Sequence, residues 1–92
     1  MTKEALNRVR TMYAEMDKAT GAEYAKLSGD LVAVRMGLMQ ALYTGLKDKQ
    51  EYKIMRDLYA YNCSVSYVRK LYGLNIFQFW RTVRRATKKL CG

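Results

Sequence analysis

Several residue types are missing from this chain, and each absence excludes a class of structure or site. Of the 92 residues none is proline, none is histidine and only two are cysteine. Without histidine, the common zinc-binding spacings cannot be assembled, so we predict no metal site. No window of about 18 apolar residues is free of charge, because Arg35 interrupts the best candidate, and we therefore predict no membrane span.

The residues from which most active sites are built are also scarce. There is no Cys-x-x-Cys pair and no Gly-rich phosphate loop. The carboxylates of the N-terminal half are best interpreted as solvated helix residues or caps: Glu4, Glu15, Asp17, Glu23 and Asp30. The sequence therefore predicts a protein that is not an enzyme and that uses no cofactor.

The two cysteines are expected to remain reduced. Because no signal peptide is recognisable, we expect a cytoplasmic protein, in which thiols rarely form stable disulfides. Cys63 is expected to behave as a small buried apolar residue, and Cys91 as an exposed thiol.

Acidic residues are absent after Asp57. Residues 1–46 hold six cations and five acids, a net charge of +1, whereas residues 47–92 hold eleven cations and three acids, a net charge of +8. After residue 57 the cations are Arg69, Lys70, Arg81, Arg84, Arg85, Lys88 and Lys89. A helix that is merely solvated usually mixes both signs, so this imbalance indicates a polyanionic partner.

Helical periodicity predicts a small all-α domain, because Val, Ile and Thr never alternate with polar residues over a strand's length. A first helix is expected to be capped by Thr2 and ended by Thr20 and Gly21. A second helix is expected to break near residues 28–30, where Gly29 weakens it. It carries a heptad-like apolar stripe of Tyr24, Leu27, Leu31, Val34, Leu38 and Ala41. Two interpretations of this stripe stay open: core packing within the monomer, or a seam between two copies in a homodimer.

The joint between the two halves is predicted at Gly45 to Lys49. Residues 1–46 are expected to form an N-terminal helical segment used for packing or dimerisation, and residues 47–92 a trihelical helix-turn-helix unit. The first helix of that unit is expected to be capped by Asp48. Its predicted apolar stripe is Ile54, Leu58 and Tyr61, with Met55 at the edge.

The stretch from Ser64 to Leu90 predicts two helices joined by a tight turn. Ser64 is a suitable N-cap for a helix over residues 65–72, and Gly73 supplies the left-handed conformation that ends it. Asn75 caps the next helix after a single intervening residue. A helix, a three-residue turn containing glycine and a second helix have the spacing of a helix-turn-helix.

The second helix of this pair has one apolar and one basic face. At 100° per residue, an apolar seam falls within about 40° of one line and comprises Phe79, Val83, Ala86 and Leu90. Roughly opposite lie Arg81, Arg84, Arg85 and Lys88. Phe77 lies among the basic residues, and Trp80 lies on the border of the two faces. One face is expected to pack and the other to meet anions.

The last third to half of the chain resembles a known family. Val68, the Leu71-Tyr72-Gly73-Leu74 turn, the capping Asn75 and the ending from Val83 to Leu90 resemble the promoter-reading helix-turn-helix of sigma factors. They also resemble small phage transcription regulators of the antiterminator or autolysin-regulator type. The resemblance implies double-stranded DNA as partner, RNA polymerase as a further partner, and a location in the host cytoplasm if a phage encodes the chain.

The expected role of this unit is that of a DNA-binding transcription regulator whose second helix enters the major groove. Gln78 is expected to pair with adenine and Arg81 with guanine. The expected phosphate contacts are Arg69, Lys70, Arg84, Arg85 and Lys88. The alternative is a protein-interaction module that docks on polymerase or another regulator through Phe77 and Trp80. RNA binding is a third hypothesis, based on the interleaved aromatic and basic residues.

Overall fold

The structure, a computed structural model, describes all 92 residues and contains helices and connecting turns but no strand. The elements are α1 Lys3–Leu6, α2 Arg8–Met16, α3 Gly21–Gly45, α4 Lys49–Met55, a π-helical turn Arg56–Ala60, α5 Val65–Tyr72 and α6 Ile76–Cys91. The prediction of an all-α fold is confirmed. None of these helices combines the length and the hydropathy needed to cross a membrane.

The first helix differs from the prediction at both its middle and its end. Thr2 does cap it, because its hydroxyl accepts a hydrogen bond from the Ala5 amide at 3.0 Å. Asn7 interrupts it, however, and donates its side-chain amide to the Lys3 carbonyl at 2.8 Å. The helix ends at Met16, and Gly21 opens α3 with a positive φ of 59° instead of ending the first helix.

The predicted break near residues 28–30 is wrong, because α3 runs without interruption from Gly21 to Gly45. A helix-interior glycine costs only about 1 kcal/mol, which is less than a single buried leucine contributes. From Leu27 onwards the stripe faces the core: Leu31 and Leu38 are buried, and Leu27 and Val34 pack against the core from its edge. Tyr24 is 48% exposed, and its predicted place in the stripe is wrong because it lies in the first turn of α3, beyond the core. The interpretation as core packing is confirmed for this face, so these leucines do not form a seam between two copies.

The third predicted helix is present but changes its pitch. Asp48 caps α4 by accepting from the Glu51 amide at 3.0 Å, and Ile54 and Met55 are fully buried. At Arg56–Ala60 the helix widens into a π turn, which rotates the following residues around the axis. Tyr61 is consequently 46% exposed, and its predicted place in the apolar stripe is wrong.

The two halves of the chain share one core. The buried set contains residues from both, namely Leu6, Val9, Met12, Met16, Leu31, Leu38, Leu42, Leu46, Ile54, Met55, Leu58, Ala60, Val68, Phe79, Val83 and Ala86. Helix α3 contacts α2, α4, the π turn and α6. The molecule measures 41 × 25 × 17 Å, and its smallest dimension corresponds to about two helix layers. The connection between Gly45 and Lys49 therefore joins two segments that cannot bury their apolar faces separately.

Cys63 and Cys91 are both free thiols, and both are half-buried at the edge of the core. Cys91 was expected to be exposed, and that expectation is wrong because α6 continues past Leu90 and includes it. Burial, and then the charge of Asp57, raises the pKa of the Cys63 thiol. Burial therefore favours the protonated thiol over the more reactive thiolate.

Candidate nucleic-acid interface

The helix-turn-helix stretch forms with the predicted caps. The Ser64 hydroxyl accepts from the Tyr67 amide at 3.1 Å, and Gly73 ends α5 in the left-handed region with φ 64°. The Asn75 side chain accepts from the Gln78 amide at 2.8 Å and starts α6. Local sequence chemistry therefore fixes both helix ends at the turn.

Helix α6 is held against the core along the predicted seam. Phe79 and Ala86 are fully buried, Val83 is 4% exposed, and Leu90 packs at the edge of the core. Thr82 is also buried, with its hydroxyl donating to the Gln78 carbonyl at 2.9 Å. Because this side is occupied, the opposite side of α6 must face solvent.

The solvent side of α6 carries three cations that have no acidic partner. Arg81, Arg84 and Lys88 are exposed, and none of them takes part in an ion pair. At 100° per residue they lie within about 60° of one another. They form the free cationic face of α6, which contains three of the four cations that the helical periodicity placed opposite the apolar seam.

Arg85 and Lys89 do not belong to this free face. Glu51 of α4 is 1% exposed, and its two carboxylate oxygens accept from Arg85 Nε at 2.5 Å and from Lys89 Nζ at 2.7 Å. Arg85 was predicted to contact phosphate, but its Nε is bound to this buried carboxylate. Glu51 precedes Asp57 in the chain, and no local signal links it to residues 34 and 38 positions later.

Gln78, predicted to read adenine, has a structural role in this fold. Its Oε1 accepts from the Asn75 amide at 3.1 Å, which completes a reciprocal capping box. A bidentate contact with adenine needs both the oxygen and the nitrogen of the side-chain amide, so the cap would first have to open. The Asn-x-x-Gln spacing was a sequence signal for this role.

The two cations of α5 differ in how far their side chains are exposed to solvent. Lys70 is exposed, whereas Arg69 is half-buried and its Nε is enclosed without a hydrogen-bond partner. Neither residue forms an ion pair. Lys70 can therefore reach a ligand beside α6 without leaving a packed position, whereas the half-buried Arg69 side chain would first have to move.

Two aromatic side chains flank the cations. Phe77 is 78% exposed at the start of α6, and Trp80 is 42% exposed. Trp80 stands edge-on to the buried Phe79, with ring centroids 5.1 Å apart and planes at 87°. Packing on Phe79 thus fixes the direction in which the indole points.

An open groove of about 440 Å³ lies beside Trp80, and a further cation, Lys3, lines it next to the free cationic face of α6. Its lining residues are Lys3, Trp80, Val83, Arg84, Thr87, Lys88, Cys91 and Gly92, and none of them is acidic. Lys3 belongs to α1 and precedes the start of α6 by 73 residues in the chain. Lys3 was not among the predicted site residues, because only the packing of α1 near the end of α6 brings it to the groove.

A second buried carboxylate orients α5. Asp57 is 6% exposed and accepts from the Tyr72 hydroxyl at 2.5 Å and from Arg56 Nε at 3.0 Å. Burial and this hydrogen bond raise the pKa of Tyr72 to about 12. The contact ties the C-terminal end of α5 to the π turn, directly before the glycine that leads to α6.

Comparison with family models, with curated proteins and with solved structures finds no significant match. The resemblance of the C-terminal stretch to sigma factors and phage regulators therefore stays a prediction.

Proposed function

We propose that the chain binds double-stranded DNA as a transcription regulator, with α6 in the major groove. The observation that carries the proposal is the free cationic face of α6, which is opposite a face buried in the core. An α-helix fits the major groove, and a helix of 16 residues is about 24 Å long. RNA polymerase is a further partner under this proposal, by resemblance alone.

The phosphate contacts are assigned to the cations that are free of acidic partners. Arg84 and Lys88 lie on the outer side of α6, Lys70 adds a cation from α5, and Lys3 adds one from α1. Arg85 serves mainly to hold α6 to α4 through Glu51. A cation paired with a buried carboxylate must give up that partner before it can bind phosphate, and the carboxylate is then left buried and unpaired. A free cation binds phosphate without this loss.

Base reading is assigned to Arg81, the free cation nearest the start of α6, which is the part of a recognition helix closest to the bases. Gln78 holds the cap, and Phe77 beside it is exposed enough to contact a thymine methyl group. Arg81→Ala should weaken binding by about 1–3 kcal/mol at one base pair, whereas Lys88→Ala should weaken all sequences alike. A uniform loss with both variants would contradict the assignment of Arg81.

The experiment that tests the proposal is a salt series of binding to duplex DNA. About four phosphate contacts predict a slope of log affinity against log salt near −4. The double variant Arg84→Gln/Lys88→Gln removes two contacts and should reduce the slope to about −2. Circular dichroism on the same samples checks that the variant keeps its helices.

The matched control is Lys18→Gln/Lys26→Gln, which removes the same charge from two exposed lysines of the N-terminal half. It should leave the slope within about half a unit of the unmodified protein. If both double variants reduce binding equally, net charge alone accounts for the affinity and the α6 face is not the site. Absence of binding at low salt would overturn the proposal.

A second function is favoured by one observation, the 78% exposure of Phe77 beside the 42% exposed Trp80. Exposed aromatics beside arginine are typical anchors of protein interfaces. Under this alternative α6 docks on polymerase or another regulator. Phe77→Ala should then abolish the interaction while high salt changes it little, the reverse of the pattern expected for DNA.

A further inference from the structure

Helix α3 carries a second apolar face, on the side away from the core. At 100° per residue, an arc of about 120° on this side holds no charged residue between positions 22 and 43. Three large apolar side chains on the arc are mostly exposed: Val32 at 56%, Met36 at 67% and Tyr43 at 72%. A solvated helix face normally carries charge, so this one is unusual for a surface that only meets water.

The residues of this face recur at alternating steps of three and four. They are Ala22, Ala25, Gly29, Val32, Met36, Met39 and Tyr43. This is the spacing of a two-helix seam. The small residues Ala22, Ala25 and Gly29 all lie before residue 30, and the larger residues all follow them, from Val32 to Tyr43.

This distribution is self-complementary when two copies of α3 run antiparallel. If the two-fold axis passes beside residue 34 of both copies, Tyr43 of one copy lies opposite Ala25 of the other. Met39 then lies opposite Gly29, and Met36 opposite Val32. Every layer then joins a large side chain to a smaller one, as close packing requires. A parallel pair would place Tyr43 on Tyr43 and glycine on glycine, which crowds one end and leaves a gap at the other. We infer that this face of α3, the α3 seam, is the interface of an antiparallel, two-fold symmetric homodimer.

Gly29 also favours a second copy of the chain as the partner of the α3 seam. A Cβ atom at Gly29 would meet nothing within 4 Å in the monomer. The fold of one chain therefore gives no steric reason for a glycine in the middle of a long helix, where it is unfavourable. Met39 is half-buried at the edge of the core, and the missing side chain at Gly29 leaves room for the exposed part of its thioether in a second copy.

The area of the seam is consistent with a dimer of moderate affinity. With about 200 Å² for a large side chain, Val32, Met36 and Tyr43 leave on the order of 400 Å² exposed. Together with the small residues and the edges of the seam, two copies bury roughly 1,200 Å², the lower end of the range for specific interfaces. Interfaces at this end of the range are typical of weak or transient complexes, so we expect a dissociation constant in the micromolar range.

The test is sedimentation equilibrium of the full chain without DNA, from about 1 to about 500 μM protein, which brackets a micromolar constant. The unmodified chain should dimerise over this range. Met36→Glu places a charge beside the symmetry axis in both copies and should raise the dissociation constant at least about 100-fold. The matched control Thr44→Glu adds the same charge on the same helix, about 100° away from the seam, and should change the constant less than about threefold.

Gly29→Leu tests the layer pairing. It should leave the thermal midpoint of the dilute monomer unchanged or higher, because nothing in the monomer meets the added side chain. It should weaken the dimer at least about tenfold by filling the space for Met39. The double variant Gly29→Leu/Met39→Ala should recover most of that loss.

Two results would overturn the inference. One is a monomer at every concentration, and the other is a dimer that Met36→Glu leaves intact. Because these measurements contain no nucleic acid, they stand or fall separately from the DNA-binding proposal.

Discussion

Glu51→Gln is predicted to weaken the fold while it strengthens binding to a polyanion. Glu51 is 1% exposed and binds Arg85 and Lys89 at 2.5 and 2.7 Å. A hydrogen bond to a charged group contributes about 1.5–3 kcal/mol. Glutamine keeps the shape and one acceptor but loses the charge, and the released cations, 52% and 47% exposed, regain water. The expected loss of unfolding free energy is about 2 kcal/mol.

The same substitution frees Arg85 at the edge of the free cationic face. One further phosphate contact should make the slope of log affinity against log salt steeper by about one unit. The fold is assayed by urea denaturation followed by circular dichroism, and binding by a salt series on duplex DNA of random sequence. Both assays use the same samples, so the two effects are measured on one folded population.

The control is Glu23→Gln, which makes the same change of charge at an exposed residue that forms no ion pair. Its effect on stability should stay within about 0.5 kcal/mol. A change of stability no larger than the control's would refute the role given to Glu51. A flatter salt slope with the fold intact would refute the view that Arg85 is withheld from the ligand.

Three further predictions concern α5, the turn and α3. Tyr72→Phe removes a donor from the buried Asp57 and should cost about 1–2 kcal/mol in urea denaturation, whereas full stability would show that water replaces the hydroxyl. Because the pKa of Tyr72 is raised from 10.0 to about 12 in the folded state, the stability it contributes is complete below pH 10 and is lost as the pH rises towards 12. The fall should be at most about 2.7 kcal/mol and should disappear in Tyr72→Phe. Gly73→Ala and Gly37→Ala form a matched pair: the first should destabilise by about 1 kcal/mol because φ is 64°, and the second should stabilise by about 0.5–1 kcal/mol because a Cβ at Gly37 meets nothing within 4 Å. Equal effects of the two in thermal melts would contradict this account. Asn75→Ala should cost about 1 kcal/mol through loss of the α6 cap, and it should lower the amide-exchange protection of the first turn of α6 more than that of its last turn.

Features encoded within a few neighbouring residues were predictable from the sequence. The caps at Ser64 and Asn75 and the left-handed Gly73 depend on side chains that bond to their own helix ends, so the bounds of α5 and the start of α6 follow from local chemistry. The apolar seam of α6 follows from periodicity in the same way. The side of α6 that packs, and hence the side left to solvent, was readable before any tertiary contact was known.

Predictions that treated a local preference as decisive were wrong. Gly29 was expected to break α3, but the free energy gained by burying Leu31 and Leu38 on one side of the helix outweighs the small cost of a glycine in the helix interior. Tyr61 was expected in the core, but the π turn at Arg56–Ala60 changes the period on which that expectation was based. Periodicity predicts a face only while the helix keeps its pitch.

The sequence by itself determined that the chain is all-α, where α5 begins and ends, where α6 begins, and that one side of α6 is basic. These depend on spacing along the chain, which the residues fix directly. Only the tertiary structure decided which cations are free. It pairs Arg85 and Lys89 with a buried carboxylate 34 and 38 residues earlier, and it brings Lys3 to the groove beside Trp80. The strength of an ion pair depends on the distance in space between the two charged groups. The number of residues between them in the sequence does not specify that distance.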